Sequence, residues 1–162
     1  MAKNKTTTTR IDVKPKLRDS MNNLLNQQLA DTVDLYTQVK QAHWNVKGAH
    51  FIALHELFDK LAEGLEEPVD DIAERITSLG GVARGTARIA AQDSRLAEFP
   101  HGRVEGLSAV ALLADRYAAL AATTRAASDA AGKEGDADTA DLFTGISRSL
   151  DKALWFLEAH LA

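Results

Sequence analysis

HFIALHELFDKLAEGLEEPVDDIAERITSL, residues 50–79, reads as one helix, and the placement of its imidazoles and carboxylates decides what the chain builds. His55 and Asp59 stand four apart, as do Asp70 and Glu74, and the two pairs are mirror images about the bond between Gly64 and Leu65. Residues four apart share a helix face, so each pair offers two donors to one ion. At about 1.5 Å of rise per residue, however, the pairs lie roughly 16 to 28 Å apart along the axis. Ligands of one ion must sit within about 2 to 2.6 Å of it. One straight helix therefore cannot close the site. A second copy running antiparallel across a two-fold axis near Gly64 and Leu65 sets His55 opposite Glu74 and Asp59 opposite Asp70, twice over. The spacing predicts a metal centre at a homodimer interface.

At 3.6 residues per turn these four side chains fall within an arc of about 100°, so the geometry is self-consistent if the helix stays nearly straight. His43 lies five residues before Gly48 and His55 seven after it, so an antiparallel hairpin brings both imidazoles to similar height. One subunit then offers His43, His55 and Asp59, and its mate adds Asp70 and Glu74. Taken singly, each has a plain reading as a satisfied core histidine or a solvated acid; the shared symmetry is what argues for a site. Glu63 and Glu66 occupy the same arc; extra ligands are one reading of them, and solvated charges the one preferred. Two imidazoles with three carboxylates suit borderline divalent ions such as iron, manganese or zinc better than magnesium or calcium. Glu74 is the best-placed bridge between two ferrous ions, from which a two-electron oxidant would take one electron each.

The surrounding chain is helical in pattern. Apolar residues recur at Met21, Leu24, Leu25, Leu29, Val33, Tyr36, Val39 and Val46, the period of a helix with one buried stripe. That helix starts at Asp19 or Ser20 as N-cap and stops at Gly48. The second runs from His50 to Leu79, closed by Gly80 and Gly81, with a kink expected at Pro68. Val82 to Gly102 is too long for a bare loop and predicts a short helix near Thr86 to Ala91. Two more helices span Val104 to Ala131 and Asp138 to His160, joined by a turn over 132–136. The pattern predicts an all-α fold, a four-helix bundle with a short extra helix between helices 2 and 3.

The chain has 162 residues, 45% of them hydrophobic, which suits one domain with a sizeable core. Cysteine is absent, excluding disulfides, thiolate zinc sites and cysteine nucleophiles. No stretch approaches the roughly 20 apolar residues of a membrane span, and no apolar leader segment opens the sequence. These features read as a soluble, cytoplasmic protein. Net charge is −4, yet residues 1–18 hold Lys3, Lys5, Arg10, Lys14, Lys16 and Arg18 against Asp12 alone. With four consecutive threonines and little to bury, residues 1–18 read as a flexible basic arm on an acidic body, residues 19–162.

The run His43-Trp44-Asn45-Val46-x-Gly48, then Phe51, His55, Phe58-Asp59, Asp70-x-x-Ala73-Glu74-Arg75 and Leu79-Gly80-Gly81, resembles the Dps family, the DNA-binding proteins from starved cells within the ferritin superfamily. Thr139-Ala140-Asp141-Leu142-Phe143 and Asp151-Lys152-x-Leu154-Trp155-Phe156 are similar too. Pro68, Glu63 and Glu66 depart from the pattern. The resemblance implies a ferritin-like bundle assembled as a hollow dodecamer. Its inter-subunit dinuclear ferroxidase centres would oxidise Fe(II), preferably with hydrogen peroxide, and deposit a ferric oxyhydroxide mineral core. By motif position the ligands are His43, His55, Asp59, Asp70 and Glu74, with Trp44 beside the centre as a scavenger of oxidising equivalents; a packed core aromatic is the competing reading of Trp44.

Two further roles follow. An acidic cluster at the start of the last helix, Asp136, Asp138 and Asp141 with Glu134, is explained by capping, Asp138 being the expected N-cap, and in similar proteins carboxylates line three-fold pores that draw Fe(II) inward. The basic arm would bind double-stranded DNA without sequence preference, since nothing resembles a base-reading motif, and many arms on one cage would add avidity. Nucleoid association follows from that reading. Two alternatives compete with it: a DNA-compacting nucleoid protein whose metal site is weak or vestigial, and a bundle using the centre for zinc-dependent hydrolysis.

Overall fold

Four long helices and one short one account for about three quarters of residues 7–162, the part of the chain described by the computed structural model. They are α1 (Pro15–Asn45), α2 (Phe51–Ser78), α3 (Ala87–Asp93), α4 (Gly106–Glu134) and α5 (Ala137–Glu158), and no strand occurs among the described residues. Short connections make α1 with α2, and α4 with α5, antiparallel hairpins that pack along most of their lengths. The two hairpins close on each other through a shared core of Leu25, Leu29, Leu35, Val39, Leu54, Phe58, Ile72, Ile76, Leu113, Leu120, Phe143 and Leu150. Full burial of each such side chain contributes about 1.5 to 3 kcal/mol. The expected four-helix bundle with a short helix between its second and third members is what forms.

Several helix ends lie elsewhere than the sequence reading put them. α1 begins at Pro15, a turn before Asp19 and Ser20, neither of which caps it. Proline at the first helical position gives up an N–H that no helix would have used, and its fixed φ is already helical. Lys16 and Arg18 therefore belong to α1, and Thr7 is tied to Gly80, so the stretch expected to be a loose arm is body structure from Thr7 onward. Lys3 and Lys5 lie outside the described residues. At its far end α1 stops at Asn45, and Gly48 turns the chain at φ +108°.

α4 continues through Gly132 and Lys133, so the expected turn shrinks to Gly135 and Asp136, with Gly135 in the left-handed conformation that ends helices. Asp138 is not the N-cap of α5; Asp136 is, and its carboxylate accepts the N–H of Thr139 at 3.0 Å. α2 passes through Pro68 without a break. The missing N–H leaves the carbonyl of Gly64 unpaired within the helix. Gly64 is exposed, so water can reach that oxygen.

Candidate metal centre

His43 near the end of α1 and His55 in the first turns of α2 face each other across the hairpin, their rings stacked 3.8 Å apart between centroids at 22°. Each ring is locked by the other residue's backbone: His43 Nδ1 donates to the carbonyl of His55 at 2.8 Å, and His55 Nδ1 to the carbonyl of His43 at 3.0 Å. A carbonyl oxygen only accepts, so both Nδ1 atoms carry the proton. In the neutral rings this leaves both Nε2 atoms as lone-pair donors, the arrangement that orients metal-binding imidazoles. Phe51 leans over His55 with centroids 5.2 Å apart.

Asp59, one turn beyond His55, places Oδ1 3.7 Å from His43 Nε2, too far for a hydrogen bond and close enough to share a ligand sphere. The same oxygen lies 2.8 Å from Lys40 Nζ. Hydrogen bonding to Lys40 holds the Asp59 carboxyl below the usual carboxylate range, and the same bond pushes the Lys40 ammonium up. Sequence reasoning missed Lys40, although its place one turn before His43 on α1 was a signal for it.

His43, His55 and Asp59 are therefore brought together, whereas Asp70 and Glu74 lie exposed farther along α2 and join no cluster among the described residues. Among the described residues no group of three His, Cys, Asp or Glu converges tightly enough to hold a metal alone. Two imidazole nitrogens and one carboxylate are the right chemistry for a borderline divalent cation and too few ligands to complete its shell. Trp44 is 63% exposed, so the packed-core reading of it does not hold within one chain.

The acidic cluster divides. Asp136 is buried and takes Arg75 Nη2 on both oxygens, at 2.8 and 3.1 Å, while Arg75 Nε donates to Thr139 Oγ1 at 3.0 Å. That corrects the pore reading of Asp136: its carboxylate is already committed. Asp138 and Asp141 are exposed. Of the cations expected to meet DNA, Arg10, Lys14 and Lys16 are exposed and Arg18 is partly buried.

Residues 22–162 match the ferritin-like domain family. The DNA protection during starvation protein of Agrobacterium fabrum is 41% identical over 157 residues, 97% of each chain. Its counterpart in Brevibacillus brevis is 33% identical over 138 residues, 85% of this chain and 92% of its own. Among solved structures, DpsC from Streptomyces coelicolor superimposes with a TM-score of 0.93 at 31% identity, covering 97% of this chain and 92% of its own. The Dps protein of Vibrio cholerae O1, described as a member of a broad superfamily of ferritin-like diiron-carboxylate proteins, gives 0.89 at 27% identity, covering 98% and 99%. With a bundle of this topology, a paired-histidine site at the α1–α2 hairpin and relatives matched over nearly their whole length, the chain belongs to the Dps family of ferritin-like proteins.

Proposed function

We propose that this protein is a ferroxidase and iron store in which Fe(II) is the substrate, oxidised at dinuclear centres shared between two subunits. The observation that carries this reading is the reciprocal lock of His43 and His55, which in the neutral rings frees both Nε2 atoms as metal donors and sets that of His43 3.7 Å from Asp59 Oδ1. Antiparallel pairing of two α2 helices about the Gly64–Leu65 bond supplies what one chain lacks. His55 then faces Glu74 of the partner subunit, and Asp59 faces Asp70 of the partner subunit. The exposure of Asp70 and Glu74 in the single chain leaves them available for that role. A diiron-carboxylate superfamily relative supports iron as the metal.

Hydrogen peroxide is the preferred oxidant. Two Fe(II) give one electron each, the O–O bond breaks, two protons are taken up, and two waters leave with two Fe(III). Taking both electrons together avoids hydroxyl radical, and Trp44, next to His43 in sequence, would absorb stray oxidising equivalents. The Fe(III) product accumulates as a ferric oxyhydroxide core inside a dodecamer, with Asp138 and Asp141 guiding Fe(II) inward. Sequence-independent contact with double-stranded DNA, from the basic start of the chain, would make the protein a cytoplasmic, nucleoid-associated shield; the names of its relatives support a part in DNA protection. No helix among the described residues is long and apolar enough to cross a membrane.

Anaerobic loading with Fe(II) followed by peroxide tests this directly. Oxidation should consume two Fe(II) per peroxide, and the His55→Ala, Asp59→Ala double variant should lose the fast phase; an unchanged rate would refute the site. A second reading, a DNA-compacting protein with a weak metal site, draws on the Lys40 ammonium already seated on Asp59. DNA retardation without stoichiometric iron oxidation would favour it.

A further inference from the structure

Thr7 donates its backbone N–H to the carbonyl of Gly80 at 2.9 Å, and its hydroxyl lies 3.5 Å from the same oxygen. Gly80 has φ +81°, and a Cβ there would collide with the carbonyl of Thr7, so the contact needs a glycine. Downstream, the N–H of Ile11 donates to Thr9 Oγ1 at 3.2 Å and that of Val13 to the carbonyl of Ile11 at 2.8 Å. Val13 and Leu17 rest against the core. Residues 7–14 thus run as a strap from the end of α2 to the start of α1.

Behind Gly80, α1 offers Arg18, Asn22 and Asn26, four apart on one face. Arg18 reaches Gly80, Asn22 closes over Gly81, and Asn26 donates to the carbonyl of Val82 at 3.2 Å while accepting the N–H of Arg84 at 2.9 Å. Two atoms of this ladder, Arg18 Nε and Asn22 Oδ1, are buried with no hydrogen-bond partner among the described residues. An unmatched buried donor and acceptor cost free energy that solvation returns. The strap is therefore held by one backbone bond and the Val13 contact against a penalty next to its latch, which makes it an element of low local stability.

We propose that the strap is a latch on the basic segment: closed on Gly80 it pins Arg10 and Lys14 to the body, and opening releases them to follow the phosphates of duplex DNA. Opening adds roughly 25 Å of reach beyond whatever precedes Thr7. DNA itself favours the open state, because Arg10 and Lys14, exposed but fixed in place when the strap is closed, can adjust to the spacing of the phosphates only once it is free. The inference rests on the DNA-binding part of the proposed function.

Thr7→Pro removes the donated N–H and leaves the bundle untouched; Gly80→Ala forces a side chain onto the strap. Both variants are compared with the native assembly by trypsin and by retardation of a short duplex. Pro15 protects the bond after Lys14, so cleavage after Arg10 reports strap opening, and it should speed up several-fold in either variant. DNA affinity should rise several-fold, and the salt dependence should steepen by about 1.8, that of two further phosphate contacts. Equal cleavage in all three proteins would overturn the strap, and faster cleavage with unchanged affinity and slope would overturn the latch. If no form retards the duplex at low salt, the DNA reading itself falls and takes the latch with it, while the cleavage rates still decide whether the strap closes.

Discussion

Lys40 Nζ lies 2.8 Å from Oδ1 of Asp59, the carboxylate that stands 3.7 Å from His43 Nε2, so a side-chain cation already occupies one flank of the candidate iron site. Both partners are partly exposed, 22% and 43%, and ion pairs within reach of solvent contribute little to stability. An arriving divalent ion therefore displaces Lys40 easily. Asp59, lowered from 3.8, contributes its share above that value and loses it as pH falls through the lowered one. Lys40, raised from 10.5, contributes below that value and loses its share as pH rises through the raised one. Near neutrality the pair is intact.

Lys40→Met is expected to return the Asp59 carboxyl toward the ordinary carboxylate range, measured by NMR titration of its side chain. The same variant should bind Co(II), a spectroscopic stand-in for Fe(II), more tightly by no more than roughly tenfold, since the displaced pair is a weak one. Weaker Co(II) binding would mean that Lys40 positions Asp59 instead of competing for it.

The Arg75–Asp136 pair yields the largest stability effect. Among the described residues Arg75 is the only cation reaching the buried Asp136 carboxylate, whose other hydrogen bonds come from Thr139. Arg75→Ala leaves that carboxylate buried and uncompensated at the joint between α2 and α5. A loss of about 3 kcal/mol or more is expected, measured by urea denaturation. Because Glu74 precedes Arg75 on α2, the variant should also disturb metal binding.

Helix periodicity made most of this fold legible, because alternating stripes such as Met21, Leu25 and Leu29 leave only one face to bury. Ends were harder. Asp19, Ser20 and Asp138 are all good caps, yet α1 starts at Pro15, whose fitness for the first helical position was a signal in the sequence, and α5 is capped by Asp136, whose ion pair with Arg75 sequence spacing does not reveal. At the site, spacing correctly paired His43 with His55, since both sit near one hairpin turn. What it could not supply was the reciprocal backbone locking of the two rings or the intrusion of Lys40, both of which depend on the rotation of α1 against α2.

Tyr117 is fully buried and donates its hydroxyl to the carbonyl of Leu61 at 3.2 Å. Burial pushes the phenol far up from its ordinary 10.0, so ionisation is incompatible with the folded bundle. Stability contributed by the neutral phenol is complete below 10.0 and is lost as pH rises beyond it. In a Tyr36→Phe protein, whose remaining tyrosine is Tyr117, the ultraviolet phenolate band should appear only together with loss of helical circular dichroism. Tyr117→Phe should cost about 1 kcal/mol, the net value of one hydrogen bond.

Gly64 tests the shared-subunit geometry from a different side. It sits inside α2 at φ that any residue adopts, and a Cβ there meets nothing within 4 Å in the single chain. Glycine in a helix interior costs about 0.5 to 1 kcal/mol relative to alanine, so Gly64→Ala should stabilise the chain by that amount in thermal denaturation. The proposed two-fold axis passes near this residue, but the arc carrying His55, Asp59, Asp70 and Glu74 is centred well round the helix from it. An added methyl should therefore leave the native mass and the peroxide-driven iron oxidation unchanged. Greater thermal stability accompanied by dissociation would place Gly64 itself in the subunit contact, and the antiparallel register that joins His55 to Glu74 of the partner subunit would have to be redrawn.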